Sequence, residues 1–281
     1  MANNDDNSSK KRPPLTRHMN PVNNKGNHIE DTDEPDDGII EGRNAVLEAL
    51  RAGVTIDKVF ISKGQVDRTL SHIASTARAA GAAVVDSDRR KLDSMSITKA
   101  HQGVIAYAAS TTYVTITDML EIAKHKNEQP LIILCDGIED PHNLGAIIRT
   151  SEAAGVHGVI IPKRRSVGLT ASVAKAASGA IHHCAIARVS NLSSAIAELK
   201  KEGVWIYAAS GEAEASLWDS NLTGPTAIVI GAEGTGISRL VRENCDFSIY
   251  VPMFGKISSL NASVAAAIIA YEAVRQRHLG K

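Results

Sequence analysis

Apolar positions begin to recur only at Ile39. Before it, residues 1–37 are mostly Asn, Asp, Ser, Lys and Pro. Such a segment cannot bury enough apolar surface to offset its ordering entropy, so a disordered tail is expected. It is basic first (Lys10, Lys11, Arg12, Arg17, Lys25) and acidic afterwards (Glu30, Asp31, Asp33, Glu34, Asp36, Asp37). From 42 to 50, apolar residues fall at helical spacing after a glycine. Short apolar runs at 59–61, 83–85 and 103–107 suit strands, and 69–80 suits a helix ended by Gly81. This alternation predicts a small α/β domain over 38–111. Thr-rich and then charged residues follow around a short helical pattern at 118–124, and 112–129 is read as a linker.

The alternation restarts more strongly at Pro130. Strands are expected at 131–135, 159–161, 185–187, 205–208, 227–230 and 249–251. Helices are expected at 143–154, 171–178, 192–202, 238–245 and 262–277. Strands that are apolar along their whole length imply a mostly parallel sheet covered on both faces. In such sheets ligands bind beyond the carboxyl ends of the strands. The last helix is apolar nearly all round as far as Glu272, which predicts burial.

Composition narrows the class. Hydrophobic residues make up 43% of the 281 and aromatics only 4%, so Ala and Val must do much of the packing. Lys+Arg and Asp+Glu both total 31, so a nucleic-acid surface has to be a local patch. Lys63, Arg68, Arg89, Arg90, Lys91 and Lys99 could form one in the first domain; they also suit an ordinary charged surface. Three scattered cysteines suggest a reducing compartment without a disulfide framework. No apolar run is long enough to span a membrane, and no signal-peptide core is evident, so a cytoplasmic protein is expected.

Three strand-to-helix turns hold the unusual residues. The first runs from Asp136 through Asp140, Pro141, Asn143 and Gly145 to Arg149. The second, Ile230-Gly231-Ala232-Glu233-Gly234-Thr235-Gly236, places a carboxylate inside a glycine-rich turn. Its spacing is not the dinucleotide fingerprint, and the acidic residue of that fingerprint is missing, which argues against a Rossmann nucleotide enzyme. The third, 251–261, holds Pro252, Gly255, Ser258, Ser259 and Asn261 before the last helix. Gly255 would ease the bend, and Ser259 and Asn261 could cap the helix. Lys163, Arg164 and Arg165 follow a strand end, where they could grip RNA backbone. His182, His183 and Cys184 fit no structural zinc spacing, and no metal is expected.

Together the three turns resemble the three motifs of the SpoU (TrmH-like) RNA ribose 2′-O-methyltransferases. They read D-x-x-x-D-P-x-N-x-G-x-x-x-R, I-G-x-E-G-x-G and V-P-M-x-G-x-x-x-S-L-N-x-S in this chain. The resemblance covers residue 38 to the C-terminus, and the full length is most similar to bacterial 23S rRNA guanosine-2′-O-methyltransferases acting in the peptidyl-transferase loop. It implies an α/β trefoil-knot (SPOUT) methyltransferase domain over 130–281 behind a small α/β (L30e-like) RNA substrate-binding domain. It further implies S-adenosylmethionine as cofactor, bound at Gly231, Val251 and Leu260. Arg149, Asn143, Glu233, Ser259 and Asn261 would be the catalytic set. Lys163, Arg164, Arg165 and Arg43 would contact 23S rRNA. A homodimer through the knot domain and the final helix is implied as well.

The residue types agree with that chemistry. A ribose hydroxyl attacks a sulfonium methyl only as its proton leaves. Arginine stays protonated, so Arg149 is expected to stabilise developing alkoxide rather than act as a base. Glu233 would then orient Arg149 or accept the proton. Two alternatives remain open at this point: a tRNA or other rRNA-site 2′-O-methyltransferase, and a catalytically idle rRNA-binding assembly protein.

Overall fold

Central strands buried along nearly their whole length, with successive side chains on opposite faces, dictate a three-layer arrangement. The computed structural model describes residues 38–63 and 67–279, and the tail expected at 1–37 lies outside them. The first domain comprises β1 (Ile39–Glu41), α1 (Arg43–Arg51), β2 (Ile56–Ser62), α2 (Arg68–Ala79), β3 (Ala83–Ser87), α3 (Arg89–Met95) and β4 (Val104–Ala108). Its sheet has the order β1-β4-β2-β3, with only β2 and β3 parallel. Val59 and Ile61 of β2 pack with Leu70 and Ile73 of α2. Asp67 caps α2 by accepting from the Thr69 and Leu70 amides.

The second domain begins earlier than its apolar strands suggested. The stretch read as a linker forms α4 (Ile116–His125), opened by a capping box between Thr115 and Asp118. Ile116 and Met119 are buried against Ile132, Leu134 and Ile160. Ile116, Met119, Leu120 and Ala123 fall at helical spacing, so the amphipathic pattern was present in the sequence, framed by Thr and charged residues.

There follow β5 (Leu131–Asp136), α5 (Pro141–Ala153), β6 (Gly158–Pro162), α6 (Ala171–Ala177), β7 (Ile186–Val189), α7 (Leu192–Lys201) and β8 (Trp205–Ala209). The chain closes with β9 (Ala215–Ser216), β10 (Thr226–Gly231), α8 (Arg239–Glu243), β11 (Phe247–Tyr250) and α9 (Ala262–Leu279). The sheet order is β7-β6-β5-β10-β8-β11-β9, and every pair is parallel. Leu131, Ile133 and Cys135 face α5, α6 and α9, while Ile132 and Leu134 face α4 and α7. The path recrosses itself. β10 lies between β5 and β8, β11 lies outside β8, and α9 then returns to pack against α5 and β10. This is the stretch where the resemblance implies threading.

Two expectations change here. The last helix is not buried all round: Ala266, Ile269, Ala270 and Ala273 face the core, whereas Val264 and Tyr271 are 45% and 50% exposed. Its apolar character therefore serves two surfaces. The notion that adjacent residues at 182–184 share a strand does not hold either, for His182 and His183 lie in and just after a short 3-10 turn. No group of three or more His, Cys, Asp or Glu among the described residues could hold a metal. Among them, too, no helix is long and apolar enough to cross a membrane.

The two domains are joined by more than a chain connection. Arg188 on β7 and Asp57 on β2 form a 2.9 Å ion pair, with side chains 4% and 3% exposed. The Tyr113 hydroxyl donates to Asp57 and accepts from the Leu169 amide at 3.2 Å. Burial and the adjoining Asp57 carboxylate push the Tyr113 phenol well above its ordinary value, so it stays a donor. Gly168 is required beside this pair, because a Cβ there would sit 2.0 Å from an Asp57 oxygen.

Candidate active site

All three motif turns leave the carboxyl ends of strands in one parallel sheet, those of β5 and β10 side by side and that of β11 one strand beyond, past β8. The first follows β5, the second β10 and the third β11. Asp140 caps α5 by accepting from the His142 amide, with Pro141 at the first helical position. That cap leaves the Asn143 side chain free for another use. Asp136 accepts from the Ser238 amide at 2.8 Å and so ties the first turn to the end of the second. In the second turn Ala232 and Gly236 exchange backbone bonds of 3.2 and 2.9 Å. Gly231 is required for that closure, since a Cβ there would lie 2.3 Å from the Gly236 carbonyl carbon. Asn261 caps α9: its Oδ1 accepts from the Ser263 amide at 2.9 Å and the Val264 amide at 3.3 Å. Ser259 makes no cap, and Gly255 has a φ any residue adopts and open space around it.

One cluster joins the three turns. Asn143 donates to Glu233 Oε1 at 3.0 Å, and Asn261 donates to the same oxygen at 2.5 Å and to Asn143 Oδ1 at 2.8 Å. Residues 90 and 118 positions apart thus share one polar node. Charge-assisted bonds to a carboxylate are the stronger kind, so Glu233 fixes both amides.

Two cavities flank the node. The larger, about 930 Å³, is walled by apolar Ile230, Val251, Leu260 and Ile269 and by the backbone of the turns around Gly211 and Gly231. Ser259 and Met253 also reach it. The smaller, about 580 Å³, has the side chains of Asn143, Glu139, Asp140 and Arg165 on its walls. Ala232, Glu233, Thr235 and Gly236 belong to both. A ligand in one cavity therefore meets a ligand in the other across Glu233.

The expected residues separate into groups. Asn143, Glu233 and Asn261 converge, and Gly231, Val251, Ser259 and Leu260 line the larger cavity. Arg149 does not join them within the chain. Six residues along α5 correspond to about 9 Å of rise, and its guanidinium donates to Ser178 at 3.3 Å instead. The expectation that Glu233 orients Arg149 is corrected, because Glu233 is engaged by the two asparagines. Arg165 lines the smaller cavity, Arg164 is exposed, and Lys163 points toward Gly81 of the first domain. Arg43 is held inside the first domain by Asp67 at 2.7 Å and the Gln102 carbonyl at 3.1 Å. The motif reading missed the turn after β8 as a wall and Asp136 as a tether; Ser210-Gly211 directly after a strand was the available signal for the wall.

Comparison with known proteins identifies the family. The model of the SpoU rRNA Methylase family matches residues 130–271, and that of RNA 2'-O ribose methyltransferase substrate binding matches residues 39–114. YacO of Bacillus subtilis, named a TrmH family tRNA/rRNA methyltransferase, is 44% identical over 237 residues, covering 84% of this chain and 95% of its own. A TrmH family tRNA/rRNA methyltransferase of Staphylococcus haemolyticus is 45% identical over 243 residues, 86% and 97% of the two chains. The SpoU methyltransferase AviRb of Streptomyces viridochromogenes, solved with AdoMet, shares the fold with a TM-score of 0.55 at 23% identity over 86% of this chain and 91% of its own. With matches that span both domains and carry all three motif turns, this chain belongs to the SpoU rRNA methylase family.

Proposed function

We propose that this protein transfers a methyl group from S-adenosylmethionine to the ribose 2′-hydroxyl of a guanosine in the peptidyl-transferase loop of 23S rRNA. The observation that carries the reading is the Asn143–Glu233–Asn261 node between two adjoining cavities that share Glu233. The larger cavity fits the cofactor: aliphatic side chains suit an adenine ring, and the turn backbone around Gly231, Val251 and Leu260 offers amides and carbonyls to its polar ends. When bound, the cofactor supplies an electrophilic methyl group. The chain's own residues supply position and charge. Asn143 and Asn261 hold Glu233 in place. Both amides use Oε1, so Oε2 is the oxygen available to a ribose hydroxyl entering from the smaller cavity. A carboxylate there orients the hydroxyl and receives its proton as attack proceeds. Glu139 and Asp140 on the cavity wall are acceptors for the donor edge of guanine, which supports guanosine over the other nucleosides.

Arg149 acts as a fixed cation toward phosphate or developing alkoxide. Its distance from the node is accounted for by a second copy. The exposed apolar face of α9 (Val264, Ile268, Tyr271), with Phe254 83% and Trp218 58% exposed nearby, is the surface for a homodimer. Because α9 packs on α5, a partner docked there lies beside the helix that carries Arg149.

Methyl transfer from labelled S-adenosylmethionine to rRNA and to tRNA, both from cells lacking this protein, tests the reading. Alkali leaves a 2′-O-methylated nucleotide as a resistant dinucleotide. Label at a guanosine of 23S rRNA is expected. Label only in tRNA would replace the substrate, and absence of cofactor binding would overturn the function. Arg149→Ala is expected to abolish transfer while cofactor and RNA binding persist; an unchanged rate would remove Arg149 from the site.

A further inference from the structure

The outer face of the first domain's sheet carries an arrangement that the node chemistry does not use. Lys58 and Phe60 alternate onto that face of β2, and Tyr107 of β4 stands opposite Lys58. Phe60 and Tyr107 meet edge to face, with centroids 5.9 Å apart. Two ammonium groups converge on the Phe60 ring, Lys58 at 5.9 Å and Lys91 of α3 at 5.5 Å. Neither lysine has an ion-pair partner among the described residues. Phe60 stays partly exposed, so α3 covers this face incompletely. Two like charges drawn to one ring, neither in a direct ion pair, make a site that an anion would stabilise.

The first domain reaches toward the active site. Lys163, in the turn after β6, reaches to 3.6 Å from the Cβ position of Gly81, next to β3. The same turn continues to Arg165 on the wall of the smaller cavity. Glu139 of that cavity is near enough to act electrostatically on Lys58, whose pKa is lowered chiefly by burial and next by Arg188.

We infer that Phe60, flanked by Lys58 and Lys91, is a platform on which an unpaired base of the RNA substrate stacks while its phosphate lies between the two ammonium groups. This rests on the methyl-transfer reading above and deepens it: the substrate is an RNA loop or single strand near the methylated nucleotide, not a continuous duplex. A base inside a duplex has no free face to offer the ring, whereas unpaired bases stack on aromatic side chains whatever their identity.

Direct binding tests the platform apart from catalysis. A short single-stranded RNA containing 2-aminopurine is titrated into the protein, and the same strand annealed to its complement is the control. Quenching on binding the single strand is expected, with weaker binding of the duplex. Phe60→Ala is expected to weaken single-strand binding by roughly tenfold or more, and Phe60→Tyr to retain it. Lys91→Gln, at an exposed position, is expected to reduce the salt dependence of binding without altering the melting temperature. Equal affinity of Phe60→Ala and the unaltered protein overturns the platform, as does equal or tighter binding of the duplex. Intact stacking with no methyl transfer to any RNA would instead overturn the function proposed above and leave the platform standing.

Discussion

Asn261 does two jobs with one amide group. Its oxygen caps α9, and its nitrogen donates to Glu233 and Asn143. The two are separable. Asn261→Ser keeps a capping oxygen, so thermal stability is expected to change little, whereas removing the cap altogether costs about 1 kcal/mol. Serine cannot span to Glu233, so methyl transfer is expected to fall at least about tenfold, which equals about 1.4 kcal/mol of positioning. Calorimetry beside a single-turnover assay separates the effects; equal loss in Asn261→Ser of both would sink the distinction. His157 makes a second residue-scale case. Its Nδ1 accepts from the Leu131 amide at 3.0 Å and its Nε2 lies 3.2 Å from Glu128, which fixes the neutral tautomer. Burial, outweighing the Glu128 bond, lowers its pKa. The unfolded state then takes up a proton first as pH falls below about 6.5. Stability is therefore full above that value and declines as pH drops toward the folded pKa. The melting temperature is expected to fall between about pH 7 and pH 5, and His157→Gln to flatten that slope. The three thiols are inert by the same logic: burial raises Cys135 and Cys184 to about 12 and Cys245 to about 11.

At the scale of elements, a motif glycine proves to be a packing position. Gly145 of the first motif lies where α5 crosses α6, and a Cβ there would sit 2.4 Å from Ala176 Cβ and 2.9 Å from the Val173 carbonyl oxygen. Backbone cannot yield as a side-chain tip can. Gly145→Ala is expected to destabilise by about 1–3 kcal/mol, read from denaturant unfolding, with cofactor affinity near normal in the folded fraction. A large loss of cofactor affinity without loss of stability would return Gly145 to the ligand site. α4 teaches the converse: a stretch between Thr-rich and charged segments docks through Ile116, Met119 and Ala123, with Leu120 packed beside them. Gly158 is bare for this helix's sake, since a Cβ there would lie 2.3 Å from Met119 Sδ.

Across the whole molecule, the Asp57–Arg188 pair holds the first domain on the sheet of the second. Breaking one half of a buried pair leaves a charge without compensation, at a cost of about 3–5 kcal/mol. Asp57→Ala is expected to lower stability by that order, and Asp57→Leu with Arg188→Met to recover most of it. Denaturant midpoints of the three proteins test this, and additive losses in the double variant would argue against it. The pair also explains why residues 112–129 do not behave as a free linker. Tyr113 and α4 bind the junction from both sides.

The alternation of apolar runs determined the two α/β domains, the order of nearly all their strands and helices, and the position of the three motif turns, because periodicity records which faces are buried. The motif residues were legible for the same local reason: turns and caps need particular residue types. Tertiary structure alone decided the rest. It set which turns meet, since Asn143, Glu233 and Asn261 converge only through strand order. It separated Arg149 from them and gave α9 a second apolar face. It also buried an ion pair 131 residues apart in sequence. Side-chain direction and long-range pairing depend on how the layers stack, and no local pattern along the chain carries that information.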